Sequence, residues 1–464
     1  MTPASVEDTP GTVVVGGGAG GCLVAIRLLM DPRRSGPVTV VEPDGQLGRG
    51  AAYSTTRPEH LLNVVASRMS ALPEQPDHFL RFLADGDEGR MPDLADGFAA
   101  RRDYARYLQS TLEALPDRGA LVHLRDRVVD IQRDTEGFSL RLASGGRLSA
   151  REVVLALGNA PRPLPEYLRH PGMRLVDAWH YEGTAQIEAD ASVCIIGSGL
   201  SMVDAALSLE ANGHRGPIHV LSRHGLMPLP HAATGPQHGH AVDDLLPLGV
   251  RERWRVLRRR VQAAAASGEP WQWSFDRLRH HGQALWRSLD DTQRRRFLRH
   301  AVRYWDIHRH RIAPQVAATL DALRARGQLR IVAGRLQSIA PAPEGGSHLH
   351  FALRHSSRCD SLQADWIVNA TGVETRIDLR PGELVPALRE RGLVLPGPQG
   401  LGVASDDDGR VFDAHGLADP GLYVLGALRI GDLWESIAIP ELREQARRIA
   451  GHILDTRAAA VGEG

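Results

Sequence analysis

The stretch Val13-Val14-Val15-Gly16-Gly17-Gly18-Ala19-Gly20-Gly21 decides the fold. Thr12 to Val15 is an uncharged β-branched run, the pattern of a strand buried on both faces of a parallel sheet. Gly16, Gly18 and Gly21 follow with G-x-G-x-x-G spacing. The first glycine permits a tight turn, the second lets backbone approach a pyrophosphate, and the third lets helix and strand pack closely. A helix starting near Gly18 aims free N–H groups and its positive dipole end at the phosphates. A second strand, Val38-Thr39-Val40-Val41, ends at Glu42, about twenty residues past the third glycine. A carboxylate there can accept hydrogen bonds from ribose hydroxyls.

Roughly 180 residues later the pattern returns as Val193-Cys194-Ile195-Ile196-Gly197-Ser198-Gly199-Leu200-Ser201-Met202. Gly197 and Gly199 match, but Met202 stands at the third position and sets helix and strand slightly further apart. The next strand, Ile218 to Leu221, runs into Ser222-Arg223-His224 rather than an acid. An acid favours NAD, and an arginine accommodates a 2′-phosphate, so Arg223 leans towards NADPH. Each loop is followed by a β-rich stretch, Leu121 to Ser149 and Leu329 to Asp360. Each β-rich stretch leads into a strand ending in glycine, at Gly158 and at Gly372. The repeat implies an α/β protein with two Rossmann-like dinucleotide-binding domains, and electron traffic between a nicotinamide and a flavin.

Length fits two to three domains. The expected layout is a first part of an FAD-binding domain at 1–175, an NAD(P)-binding domain at 176–372, and a C-terminal part of the FAD-binding domain at 373–464. Residues 250–325 read as helical and strongly basic, so a helical insertion is expected at about 240–325. Residues 1–11 read as a loose leader, and a last helix is expected from about Pro440.

The 55 basic and 55 acidic residues balance, which argues against a dominant nucleic-acid or membrane field. Every one of the basic residues is an arginine, so no lysine serves as base or Schiff-base former. Cys22, Cys194 and Cys359 form no CxxC pair, which suits a reducing cytoplasm and disfavours a dithiol reductase. No signal peptide and no membrane span are read, and the expected location is cytoplasmic. His231, His238 and His240 crowd one loop, and His308 and His310 another. Loop histidines are commonly solvated, so no metal site is expected; His231 or His308 is a candidate substrate-side base.

The chain resembles class B-like flavoprotein monooxygenases, a glutathione-reductase-like layout. Within them it resembles the bacterial FAD-dependent urate hydroxylase type. The resemblance covers almost the whole length. It rests on the two loops, the second extending to Val203-Asp204, on Gly48-Arg49-Gly50-Ala51-Ala52-Tyr53, and on His60-Leu61-Leu62-Asn63-Val64. It rests also on Arg101-Arg102-Asp103-Tyr104, Ser222-Arg223-His224-Gly225, Tyr304 to Arg311, and Leu433-Trp434-Glu435-Ser436-Ile437-Ala438-Ile439-Pro440. The resemblance implies that NADH or NADPH reduces FAD, that reduced FAD and O₂ give a C4a-hydroperoxide, and that its distal oxygen passes to a small nucleophilic substrate. With urate, C5 would attack and give 5-hydroxyisourate, placing the protein in purine metabolism. It implies FAD contacts from Gly16, Gly18, Gly21, Glu42, Arg49 and Asn63, with Asn63 near the oxygen-reactive face. It implies NAD(P)H contacts from Gly197, Gly199, Ser201 and Arg223, and contacts from Asp432 and Ser436 to the ribityl chain or ring edge. One departure is Ala427, where many flavoproteins carry an aspartate after the strand-end glycine. Alternatives are N-hydroxylation of an amine or amino acid, and a non-catalytic FAD-binding redox sensor. A homo-oligomer is compatible with the sequence.

Overall fold

The computed structural model describes residues 11–86, 95–233 and 242–462. The leader and the histidines at 238 and 240 lie outside them. The first sheet has, in spatial order, strands Arg410–Phe412, Ala418–Val424, Glu152–Leu155, Thr12–Val15, Val38–Val41 and Leu121–Leu124. All neighbours run parallel except the antiparallel edge strand Arg410–Phe412. The valines of Thr12–Val15 are buried on both faces, as expected of a central parallel strand. One face is covered by helices Ala19–Met30, Arg101–Glu113 and Ile439–Gly462. The other is covered by the antiparallel strands Val128–Arg133, Phe138–Leu142 and Arg147–Ala150. The meander expected from Leu121 therefore begins at Val128. Leu121–Leu124 instead extends the parallel sheet beside Val38–Val41. Four residues, three of them apolar, do not reveal which way their partner runs.

The second sheet runs Cys359–Ala364, Ser347–Leu353, Leu329–Pro341, Ile218–Ser222, Val193–Ile196, Trp366–Asn369 and Leu175–Asp177. Leu329–Pro341 serves two roles. Its first half pairs parallel to Ile218–Ser222, and its second half pairs antiparallel to Ser347–Leu353. Helices Leu200–Ala211 and Pro314–Ala325 pack on one face around Val203, Leu207, Val316 and Leu320. Between strand Ile218–Ser222 and helix Pro314–Ala325 come the helices Val250–Ala266, Trp271–Asp276, Gly282–Arg287, Asp291–His300 and Val302–Arg309. These bury their own aromatic clusters, with Trp286 stacked on Trp434 of the C-terminal segment.

Polar contacts tie the halves together. Arg101 and Asp204 pair through two hydrogen bonds of 2.7 and 2.9 Å. Buried His60 meets Ser208 at 2.9 Å, and the Tyr181 hydroxyl donates to the Ala51 carbonyl at 3.0 Å.

Candidate functional site

Both loops are shaped for a dinucleotide, and they differ where the sequence differs. Gly16 (φ +104°) turns the chain so closely past the sheet that a Cβ would overlap the Ala156 carbonyl. A Cβ at Gly21 would overlap the Gly16 carbonyl oxygen. Gly18 caps helix Ala19–Met30 and faces the second glycine-rich turn, with its ideal Cβ 3.4 Å from the Gly50 Cα. Two bare backbones thus meet in front of a helix N-terminus, the cradle a pyrophosphate needs. Glu42 stands at the end of its strand, accepting from Gly17 N–H at 2.8 Å and Asp44 N–H at 3.1 Å. Arg49 lies beside this turn, with its guanidinium donating to the Ser54 carbonyl at 3.1 Å.

In the second loop Gly197 (φ +112°) again lies against backbone, at Ala370, and Gly199 caps helix Leu200–Ala211 with open space where a side chain would be. Met202 is fully buried where the first loop has its third glycine. Ser201 accepts from the Trp179 indole at 3.0 Å. Ser198 donates to the Leu226 carbonyl at 2.6 Å, which ties the loop to the strand end carrying Arg223. Arg223 is exposed, and it is not alone. Arg354 donates to the His224 carbonyl at 3.4 Å and to the Tyr304 hydroxyl at 3.4 Å. Burial, then Arg354, Arg223 and Arg303, push the His224 pKa down. Sequence reasoning missed Arg354, because it comes from the turn after strand Ser347–Leu353 and only the fold brings it to Arg223.

The first domain, the second domain and the helical insertion converge on Asn63 and His231. The backbone of His231 donates to the Ile312 carbonyl at 3.0 Å, which seats Arg311 beside it. The His231 Nε2 lies 3.1 Å from the Asn63 carbonyl. A carbonyl only accepts, so Nε2 carries the proton and Nδ1 is the basic nitrogen. The ring also packs on Phe98, at 5.0 Å between centroids. Burial, then the Arg311 charge, pull the His231 pKa to about 4, so the ring is neutral at pH 7. Unfolded, it titrates near 6.5. Between those values the unfolded chain binds the proton and the folded one does not, so stability present above 6.5 is lost as pH falls towards 4. The full shift amounts to at most about 3 kcal/mol. Denaturant midpoints are expected to fall with pH across this window, and less steeply in His231→Gln. Parallel slopes in the two proteins would remove His231 from the acid response.

The remaining candidates lie elsewhere. His308 stacks on Phe275 with centroids 4.9 Å apart, and its Nδ1 meets the Tyr304 carbonyl of its own helix at 2.7 Å. It is built into the helical insertion, on helix Val302–Arg309. Asp432 accepts from the N–H and hydroxyl of Ser405 at 2.9 and 3.0 Å, next to buried Arg429, so its carboxylate is engaged within the C-terminal segment. The Ser436 hydroxyl is buried without a hydrogen-bond partner among the described residues, just before helix Ile439–Gly462. The sequence also gave no hint of a buried arginine group on the insertion side of His231. Arg311 pairs with Asp276, Arg309 Nη2 lies 3.0 Å from Glu435, and Arg279 donates to Glu441 at 3.3 Å.

No helix among the described residues is long and apolar enough to cross a membrane. Residues 13–160 match a family model described as FAD-NAD(P)-binding. No curated protein matches the chain in sequence. Solved structures match it along its length. An ornithine N-hydroxylase from Kutzneria sp. 744, described with reduced FAD, NADP+ and L-ornithine, superposes with a TM-score of 0.67 at 14% identity, covering 97% of this chain and 100% of that one. The L-lysine 6-monooxygenase of Pseudomonas syringae gives 0.66 at 18%, covering 97% and 99%. The cadaverine monooxygenase of desferrioxamine biosynthesis from Erwinia amylovora, bound to FAD, gives 0.68 at 15%, covering 96% and 95%. The chain therefore has the mixed α/β fold of flavin monooxygenases, and its first glycine loop lies in an FAD-NAD(P)-binding unit.

Proposed function

We propose that the protein is an FAD- and NADPH-dependent monooxygenase that hydroxylates a nitrogen of a small amine or amino acid. The observation that carries the proposal is the end-to-end likeness to ornithine, lysine and cadaverine hydroxylases, with the first glycine loop complete and the second keeping Gly197 and Gly199. The FAD domain is residues 1–175 with 373–464, and the nucleotide domain is 176–372. Gly16, Gly18, Gly21 and Gly50 make room for the FAD diphosphate, and Glu42 is placed for the adenosine ribose. Gly197, Gly199 and Ser201 take the nicotinamide dinucleotide, and Arg223 with Arg354 forms a cationic clasp for a 2′-phosphate. FAD, when bound, supplies the redox chemistry, accepting hydride and activating O₂. The chain supplies position. His231, held neutral by burial, fixes the Asn63 peptide at the junction through Nε2–H.

The reading is tested with purified yellow protein, following NADPH and NADH oxidation with L-ornithine, L-lysine, cadaverine and urate while assaying hydroxylamine product and urate absorbance. Stoichiometric hydroxylamine supports N-hydroxylation. Slow oxidation with every compound would leave a non-catalytic redox sensor. In the same assay Arg223→Ser is expected to raise KM for NADPH about tenfold, the equivalent of one lost charge-assisted hydrogen bond. KM for NADH is expected to stay unchanged; an equal rise for both would take Arg223 out of the 2′-phosphate site. A second reading, hydroxylation of urate at C5, is favoured by one observation, the buried arginines beside His231, which suit an anionic heterocycle.

A further inference from the structure

Arg311 is the most deeply buried guanidinium of the junction, 4% exposed. Asp276 occupies Nη2, but Nε and Nη1 have no hydrogen-bond partner among the described residues. Most of the five N–H donors of the guanidinium are therefore idle in a desolvated place. Leaving buried donors unmade is costly, and more so for a charged group. Its neighbours do not relieve it. Arg279 is hydrogen-bonded to Glu441, Arg309 lies in an ion pair with Glu435 although its Nε has no hydrogen-bond partner among the described residues, and both repel Arg311. Arg68 adds a further half-buried positive charge to the group. The placement is specific: Arg311 adjoins Ile312, whose carbonyl holds His231, whose imidazole holds Asn63. The idle donors thus lie at the convergence of both nucleotide domains and the insertion.

We propose that Arg311 is the specificity-determining residue of the substrate site, recognising an anionic group with the donors that Asp276 leaves free. The substrate then carries an anionic group, either the carboxylate of an amino acid or the ring of urate, and is not a simple diamine such as cadaverine. Nε–H and the Nη1–H bonds point off different edges of the guanidinium, so an anion is met by one charge-assisted edge in a fixed direction, which a lysine would not reproduce. The proposal rests on the junction being the substrate site of the monooxygenase proposed above, and it separates two classes of substrate within that fold.

The test is calorimetric binding to the FAD-loaded protein, independent of turnover. The probes are L-ornithine, L-lysine, urate, cadaverine and L-lysine amide, each titrated to millimolar concentration. At least one anion is expected to bind at least tenfold more tightly than cadaverine, and the lysine amide to lose what lysine gains. Which anion binds distinguishes the amino acid from urate. Arg311→Leu is expected to weaken the anion by on the order of 10- to 100-fold, and Arg311→Lys by less, because it keeps the charge that Asp276 faces. The visible flavin spectrum and melting temperature report whether each variant is folded, and the wild-type series stands without them. Equal affinity for cadaverine and the anions, binding of none of the probes, or unchanged affinity in a folded Arg311→Leu would each overturn the proposal. Arg311-dependent anion binding without hydroxylated product would sustain this site and sink the reaction. Hydroxylation of cadaverine alone would do the reverse.

Discussion

A Gly18→Val variant is expected to fold and to purify without the yellow of bound flavin. The two halves of that expectation come from different observations. Gly18 has an ordinary extended backbone, φ −68° and ψ −171°, so a side chain introduces no backbone strain there. Its ideal Cβ touches only the Gly50 Cα, at an ordinary 3.4 Å. The protein itself is therefore indifferent to a first carbon. The branched methyls of valine, however, stand over the first turn of helix Ala19–Met30, between its free N–H groups and anything anionic approaching them. Losing that set of charge-assisted hydrogen bonds is expected to weaken FAD by at least about 100-fold. Gly21 provides the contrast. Its Cβ would overlap the Gly16 carbonyl oxygen, so substitution there damages the helix–strand contact and lowers stability of the apoprotein. The ratio of flavin to protein absorbance, read with the melting temperature, separates the two. A Gly18→Val protein that retains stoichiometric flavin would show that the diphosphate does not pass this glycine.

The glycine loops were legible from sequence because strand, glycine spacing and helix follow one another in a single short stretch. The carbonyls that demand Gly16 and Gly197 are distant, at Ala156 and Ala370, but the one that demands Gly21 is that of Gly16, and the strand before each loop is an uncharged buried run. The strand ends carrying Glu42 and Arg223 were legible for the same reason. The junction was not. Asn63 and His231 are 168 residues apart, and Arg311 joins them only because residues 229–231 bridge to Ile312 across the whole helical insertion. His308 looked equivalent to His231 in sequence, yet a stacking aromatic partner absorbs it. The same applies to Leu121–Leu124, where a four-residue strand carries no record of its neighbour. Period and spacing report what a segment buries; long-range polar pairing depends on topology, and that is where the proposed substrate-side residues lie.

The Arg101–Asp204 bridge shows that dependence in energetic form. Arg101 opens the helix that packs against Gly48, beside the first nucleotide loop, and Asp204 lies in the helix that begins at the second loop. Their side chains are 14% and 6% exposed, the two hydrogen bonds are parallel, and Arg101 Nε also reaches the Leu61 carbonyl at 3.1 Å. A buried pair contributes little net stability compared with an apolar pair, but removing one partner strands the other charge. Asp204→Ala is therefore expected to cost about 3–5 kcal/mol, and Arg101→Met a similar amount. The double variant Arg101→Met/Asp204→Leu is expected to recover most of that loss. Guanidinium chloride denaturation of wild type and the three variants measures each loss and the recovery. A loss below about 1 kcal/mol for Asp204→Ala would class the bridge with solvent-screened surface pairs. Recovery in the double variant has a further consequence for flavin reduction. An apolar pair restores burial but not the fixed geometry of the fork, so the two helices that follow from the loops stay packed through it but lose their register. Hydride transfer from NADPH, followed by stopped-flow bleaching of the flavin, is then expected to stay slower than wild type by about tenfold, because it depends on position and not on stability.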